Sequence, residues 1–388
     1  MKTISKIFIT LFAVVGLASC GEETTGGSGF GVKVDGVVLT FDKSVIQANG
    51  SDMVTFRAFY KDSEVTDQAS FFRVNAAGKL EVMGATFTAD QVGVYNFKAA
   101  YKTSESDQVS ISAISREIPA AAKDDQKGNT SFVHRAFFNQ HTGSQCPNCP
   151  FMTHLINKTL VDGYEDKVVL AALRNYSGES GFATVPNPAS SWPYLHIDYT
   201  SNFPYNGTVA NLQQKIDDIV SQPAKVGISA KPVYYEDGQI IVKVAVKAAE
   251  TNEYNVGLWL MQDNFKKTQL VDTERLSLLE GTWGDEYHIH DNCVRVAESK
   301  YLGAHVGYSL GKIEAGQTAE WTFLVNVNLG SEAYGYTDSW WEGKKGGAIN
   351  LDDLHFAAFV TTHEGIRYTI ANVIDFKYNE EKPFEYKK

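Results

Sequence analysis

Cys146-Pro147-Asn148-Cys149 stands where an apolar run gives way to helical periodicity, and no other feature restricts the fold as much. Upstream, Phe132, Val133, Ala136, Phe137 and Phe138 read as a buried strand. Thr142-Gly143-Ser144-Gln145 is then a turn, and Phe151, Met152, Leu155, Ile156 and Leu160 recur at helical spacing. The pair therefore straddles the first turn of an amphipathic helix, with Pro147 suited to the first helical position. A thiolate there faces unpaired backbone N–H groups and the positive end of the helix dipole, which lowers its pKa. This placement predicts a solvent-facing Cys146 as nucleophile and Cys149 as resolving thiol.

Other uses of such a pair can be weighed from its neighbours. Haem attachment fails because Pro150, not a histidine, follows Cys149. Zinc usually takes a second pair or close histidines; His141 and His154 are near, but there is no second C-x-x-C. A redox pair and a purely structural disulfide both remain open. No cofactor or metal is implied. His288, His290 and Asp291 resemble a ligand cluster in spacing, but no third ligand is identifiable and a structural or interface role is expected.

The first 19 residues read as an export signal: Lys2 and Lys6 precede an apolar stretch, Ile7 to Val15, too short to span a bilayer. Leu17-Ala18-Ser19-Cys20 resembles the bacterial lipobox, which makes Cys20 the expected site of lipidation and the membrane the first partner. Gly21-Glu22-Glu23 resembles the surface-export signal of Bacteroidota lipoproteins. The formal net charge of −11 does not suit nucleic acid or anionic lipid. Aromatic content of 12% with only 21% charged residues indicates folded domains instead of disorder.

A signal (1–19) and a flexible tether (20–34) precede an all-β stretch from 35 to 115. In that stretch Val54, Phe56, Ala58 and Tyr60 alternate with Thr55, Arg57 and Phe59, the pattern of an immunoglobulin-like sandwich. Residues 116–130 are polar and alanine-rich, an expected exposed linker open to proteolysis between Pro119 and Thr130. Residues 131–224 run strand, C-x-x-C, helix, strand, a long irregular stretch and a closing helix with Leu212, Ile216, Ile219 and Val220 on one face. That order implies a parallel pairing and an α/β, thioredoxin-like domain. In such folds a cis-proline loop faces the pair, and Pro204 is the candidate by chain order. Residues 225–388 are β-rich again, a second sandwich with a polar excursion from about 263 to 310.

Thr142-Gly143-x-x-Cys146-x-x-Cys149-Pro150, with Tyr287-His288-x-His290 leading to Val294-Arg295, resembles the twenty-eight-kilodalton outer-membrane-protein family of Bacteroidota lipoproteins over roughly residues 130–388. The resemblance implies an outer-membrane, cell-surface lipoprotein with a thioredoxin-like domain and a β domain. It leaves two functions: thiol–disulfide exchange through Cys146 and Cys149 with protein thiols or disulfides as partners, or adhesion or scaffolding toward a surface protein or glycan. The chain departs from the family by placing Asn139-Gln140-His141 ahead of the Thr-Gly, and no buried carboxylate is found upstream of the pair. Cys293 occupies a usually apolar position and is expected to be a buried core thiol.

Overall fold

The computed structural model describes residues 30–31, 36–61, 63–176, 179, 182–183, 185–189, 191–279, 283–301, 304–327 and 350–388. The signal, Cys20 and most of the tether lie outside the described residues. The protein is mostly β, built from several sheets with two α-helices of more than ten residues among the described residues. None of its described helices is long and apolar enough to cross a membrane.

Residues 37–114 form two sheets on a common core. Strand alternation does the sorting: Val54, Phe56 and Ala58 are buried, while Arg57 between them faces out. Phe56 meets Phe97 of the opposing sheet with ring centroids 4.7 Å apart.

This module is docked onto the rest of the chain. Phe41 lies 5.8 Å from Tyr308 and 5.9 Å from Trp321. The Ser44 hydroxyl donates to the Thr322 carbonyl at 3.0 Å, and both terminal nitrogens of Arg116 reach Asp237 at 2.8 Å. The stretch expected as an exposed linker is partly docked too. Its Asp124 accepts from Lys247 Nζ at 2.8 Å and from the Tyr386 hydroxyl at 2.7 Å, and the Lys247 side chain is 1% exposed. A buried lysine needs such a partner, and it holds the segment in place.

The strand Ala136–Thr142 pairs in parallel with Val168–Arg174 and antiparallel with Tyr194–Ile197. Helices α1 (Cys149–Val161) and α2 (Val209–Val220) cover one face of this layer, burying Met152, Ile156, Leu212 and Ile216 against Phe138 and Ile197. Thr208 caps α2 by accepting from Asn211 N at 3.2 Å. Odd-numbered neighbours such as Phe137 point to the other face, where Trp259 and Phe359 meet them.

One ten-stranded sheet crosses the boundary expected at 224–225. Val168–Arg174 would otherwise be an edge with unpaired N–H and C=O groups. Cys293–Glu298 supplies the next strand, with Ala172 opposite Cys293, and passes the sheet on to Asn252–Gln262, Leu354–Glu364 and Arg367–Lys377. A three-stranded sheet (Val226–Tyr234, Gln239–Ala248, Thr318–Asn326) packs on that extension around the largest core.

Candidate functional site

The Cys146–Cys149 pair is closed as a disulfide at the mouth of α1, with Cα atoms 5.4 Å apart. The helix begins at Cys149, with Asn148 as N-cap, so the proline of its first turn is Pro150 and Pro147 lies in the turn ahead. Proline without an N–H fits that first turn, where the donor has no intrahelical partner. Gly143 is required by a close approach: a Cβ there would lie 2.7 Å from Tyr176 Cβ and 3.1 Å from its carbonyl oxygen.

Cys146 is not solvent-facing. It is 2% exposed and Cys149 1%. The polar excursion folds back onto this loop, with Gln269 meeting Cys146 across 123 residues. It leaves the large sheet through Phe265–Lys266, paired with Ile289–His290, and its near limb lies across the C-x-x-C loop. Leu270 N donates to Ser144 O and Asp272 N to Pro147 O, each at 2.8 Å. The Gln269 side-chain amide donates to the carbonyls of Gly143, Ser144 and Cys146 at 3.3, 3.1 and 3.0 Å. Arg275 continues the contact, with Nη1 3.1 Å from Asn148 Oδ1 and the guanidinium against Tyr205. Farther along, Tyr287 and His154 of α1 are 3.0 Å apart.

Beneath the loop lies a buried ion pair that the sequence did not disclose. Arg174 Nε is 2.6 Å from Glu179 Oε2, with side chains 1% and 3% exposed. Glu179 Oε1 accepts from both N and Oγ of Ser144, two residues before Cys146. Burial pushes the Glu179 carboxyl up, but the Arg174 charge and the Ser144 donors outweigh it and hold it below the ordinary value. Glu179 is therefore an ionised anchor for the loop and not a proton acceptor held in reserve. Gln140, upstream of the pair, instead donates to Thr153 Oγ1 of α1 at 2.8 Å.

Pro204 is not preceded by a cis bond. The one cis peptide among the described residues is Trp192–Pro193, immediately before the strand Tyr194–Ile197 that pairs with the C-x-x-C strand. The long stretch expected to be irregular contains that strand and Ser201–Phe203, so Pro204 falls in the turn that leads into α2, where its carbonyl accepts from Gly207 N at 3.0 Å. Cys293 is fully buried, and burial above all pushes its thiol up to about 11. His288 Nδ1 accepts from Gln269 N at 2.9 Å, and His290 Nε2 lies 3.0 Å from Lys267 O. Both histidines thus support the covering limb.

Asp198 is a second buried carboxyl, at the other end of the C-x-x-C strand, where it accepts from Phe137 N at 2.7 Å. Burial raises its pKa to about 7. A carboxyl raised on folding adds stability that is complete below its unfolded value near 3.8 and lost as pH rises through about 7. Asp198→Asn keeps the acceptor, so its urea midpoint should gain on the parent between pH 4 and 8. Parallel profiles for the two proteins would show that Asp198 does not titrate in that window.

A cleft of about 890 Å³ opens between the N-terminal module and the C-terminal strands. Thr40, Arg57 and Lys61 line one wall; Glu253, His363 and Ile366 line the other.

No family model matches this chain, and no curated protein does. Among solved structures, HBP35 of Porphyromonas gingivalis aligns at 14% identity and a TM-score of 0.47, over 66% of this chain and 78% of that one. A beta-glucosidase from Kluyveromyces marxianus aligns at 12% identity and a TM-score of 0.17, over 86% and 45%. At TM-scores below 0.5 neither likeness transfers a fold or an activity.

Proposed function

We propose that this chain is a lipid-anchored outer-membrane protein, exposed at the cell surface, that binds a partner and catalyses nothing through its cysteines. In this reading the α/β layer is a thioredoxin-like scaffold, the N-terminal module an immunoglobulin-like spacer, and Cys146–Cys149 a structural staple. The cover carries the proposal. Exchange needs an attacking thiolate to reach a disulfide sulfur, and both cysteines are buried in a loop whose carbonyls are bonded to the Gln269–Asp272 limb. The cleft between the modules has the size and interdomain position of a ligand site, which gives the binding reading a location.

Reduction by dithiothreitol should be roughly 100-fold slower in native buffer than in urea, the factor that about 2.8 kcal/mol of local opening imposes. Reduction at similar rates, followed by labelling of Cys146 ahead of Cys293, would return the exchange reading to first place. The anchor is tested separately: Cys20→Ala should abolish acyl-chain labelling and release soluble protein, and labelling that persists removes the lipoprotein assignment.

A further inference from the structure

The limb over the disulfide is bound the way an extended peptide is bound. N–H groups at 270 and 272, two residues apart, point to the C-x-x-C loop, while the N–H at 269 points away to His288. Alternate N–H groups thus face the loop, as they do along an extended segment. The receiving groups are main-chain carbonyls, Ser144 O and Pro147 O, and carbonyls of the same loop also receive the Gln269 amide.

Outside the loop the limb is held mainly by polar contacts: Gln269 N donates to His288 Nδ1, and His290 Nε2 lies against Lys267 O. Its root, Phe265–Lys266, pairs only with Ile289–His290 in a two-stranded sheet separate from the ten-stranded one, and residues 269–272 belong to no sheet. From Lys267 to Leu278 no side chain enters a hydrophobic core cluster among the described residues. Two of its leucines, Leu270 and Leu278, are 46% and 43% exposed. Segments held by polar contacts with few buried apolar ones sit at the low end of local stability. The receiving loop is the opposite: Ser144 is tied to the buried Glu179, and Cys149 opens a packed helix.

We propose that the C-x-x-C loop is an acceptor site for an extended peptide and that residues 269–272 occupy it in cis. The partner it fits is an unstructured protein segment that offers two N–H groups two residues apart, with a glutamine just before the first. Such a segment displaces the limb and donates hydrogen bonds to the same loop carbonyls. The inference goes beyond the staple reading and does not depend on it, because a peptide seated there shields the disulfide as the limb does.

The test uses the full chain and a fluorescein-labelled synthetic peptide that copies residues 267–276. Gln269→Ala in the protein loosens the limb and leaves the carbonyls intact, so the variant should bind the peptide about tenfold more tightly than the parent by fluorescence anisotropy. The same substitution in the peptide should remove that gain, and a scrambled peptide should not bind. Hydrogen exchange on the unmodified protein guards against a variant that fails to fold. The amides of Leu270 and Asp272 should exchange about 100-fold faster than those of Leu354–Glu364. Exchange as slow as that of the strand makes the limb a fixed part of the fold and overturns the proposal. So does an absence of saturable binding to both proteins, or equal binding of the scrambled peptide.

Discussion

Replacing Arg174 by alanine is expected to destabilise the protein by about 3–5 kcal/mol, seen as a lower urea midpoint at an unchanged slope. The size follows from what is left behind. Glu179 is 3% exposed and 2.6 Å from the guanidinium, so truncation strands a carboxylate away from water. Arg174 also lies 5.1 Å from the Phe265 ring, at the root of the covering limb, so its loss should loosen the cover as well. The pH dependence gives a second check. In the parent the Glu179 carboxyl is held low, so its stabilisation is present above its unfolded pKa near 4.5 and lost as pH falls through the lower folded value. Without Arg174 only the Ser144 donors oppose burial and the carboxyl rises, so the deficit should shrink as pH drops toward 4. Arg174→Met with Glu179→Gln, which removes both charges and keeps an acceptor for Ser144, should recover most of the loss. A deficit below about 1 kcal/mol at pH 7 would mean that the pair is solvated and the loop is anchored by other contacts.

The parts of this fold that could be read from sequence are those written in apolar period. Alternation placed Val54, Phe56 and Ala58 in a core, and helical spacing placed Met152, Leu155 and Ile156 on the buried face of α1 and Leu212 and Ile216 on that of α2. The strand, pair, helix order around Cys146 was legible for the same reason. Two prolines flank the turn, and spacing alone favours Pro147, whereas the helix starts at Cys149 with Pro150 in its first turn. Tyr194–Ile197 is a four-residue strand inside a proline-rich stretch, too short to show a period, so chain order favours Pro204 over Pro193.

The cover left no trace of that kind. It meets the loop through backbone N–H groups, one glutamine and Arg275, across 125 residues between Gln269 and Ser144, and such scattered polar contacts carry no pattern. Exposure of Cys146 was inferred from local position, and local position is silent about a distant segment. The buried ion pair had one signal. Arg174 ends an otherwise apolar strand, and an arginine drawn into a sheet needs an anion, although nothing in the sequence around Glu179 marks it as that partner. The continuity of the large sheet was hidden because Cys293-Val294-Arg295-Val296 looked like part of a polar excursion. Its pairing with Ala172 is a long-range event that composition does not record.

That continuity makes Trp259→Ala the sharpest probe of domain organisation. Trp259 is fully buried on the strand Asn252–Gln262, from the C-terminal half of the chain. Its ring centroid lies 5.2 Å from Phe137 of the C-x-x-C strand and 5.2 Å from Phe359 of Leu354–Glu364. Its Nε1 donates to Ser299 Oγ at 2.8 Å. Truncation opens a cavity where the two halves meet and removes a donor from a buried hydroxyl, a combined cost of about 3–5 kcal/mol. A sheet that runs unbroken through both halves should unfold as one unit. Hydrogen exchange in Val168–Arg174 and in Leu354–Glu364 should therefore rise together in the variant, by the same factor, with a single urea transition shifted to lower concentration. Had residues 131–224 been a self-sufficient domain, the amides of Val168–Arg174 would keep their protection while those of Leu354–Glu364 lost theirs. That split, or two separable transitions, would sink the one-body account and restore a boundary at 224–225.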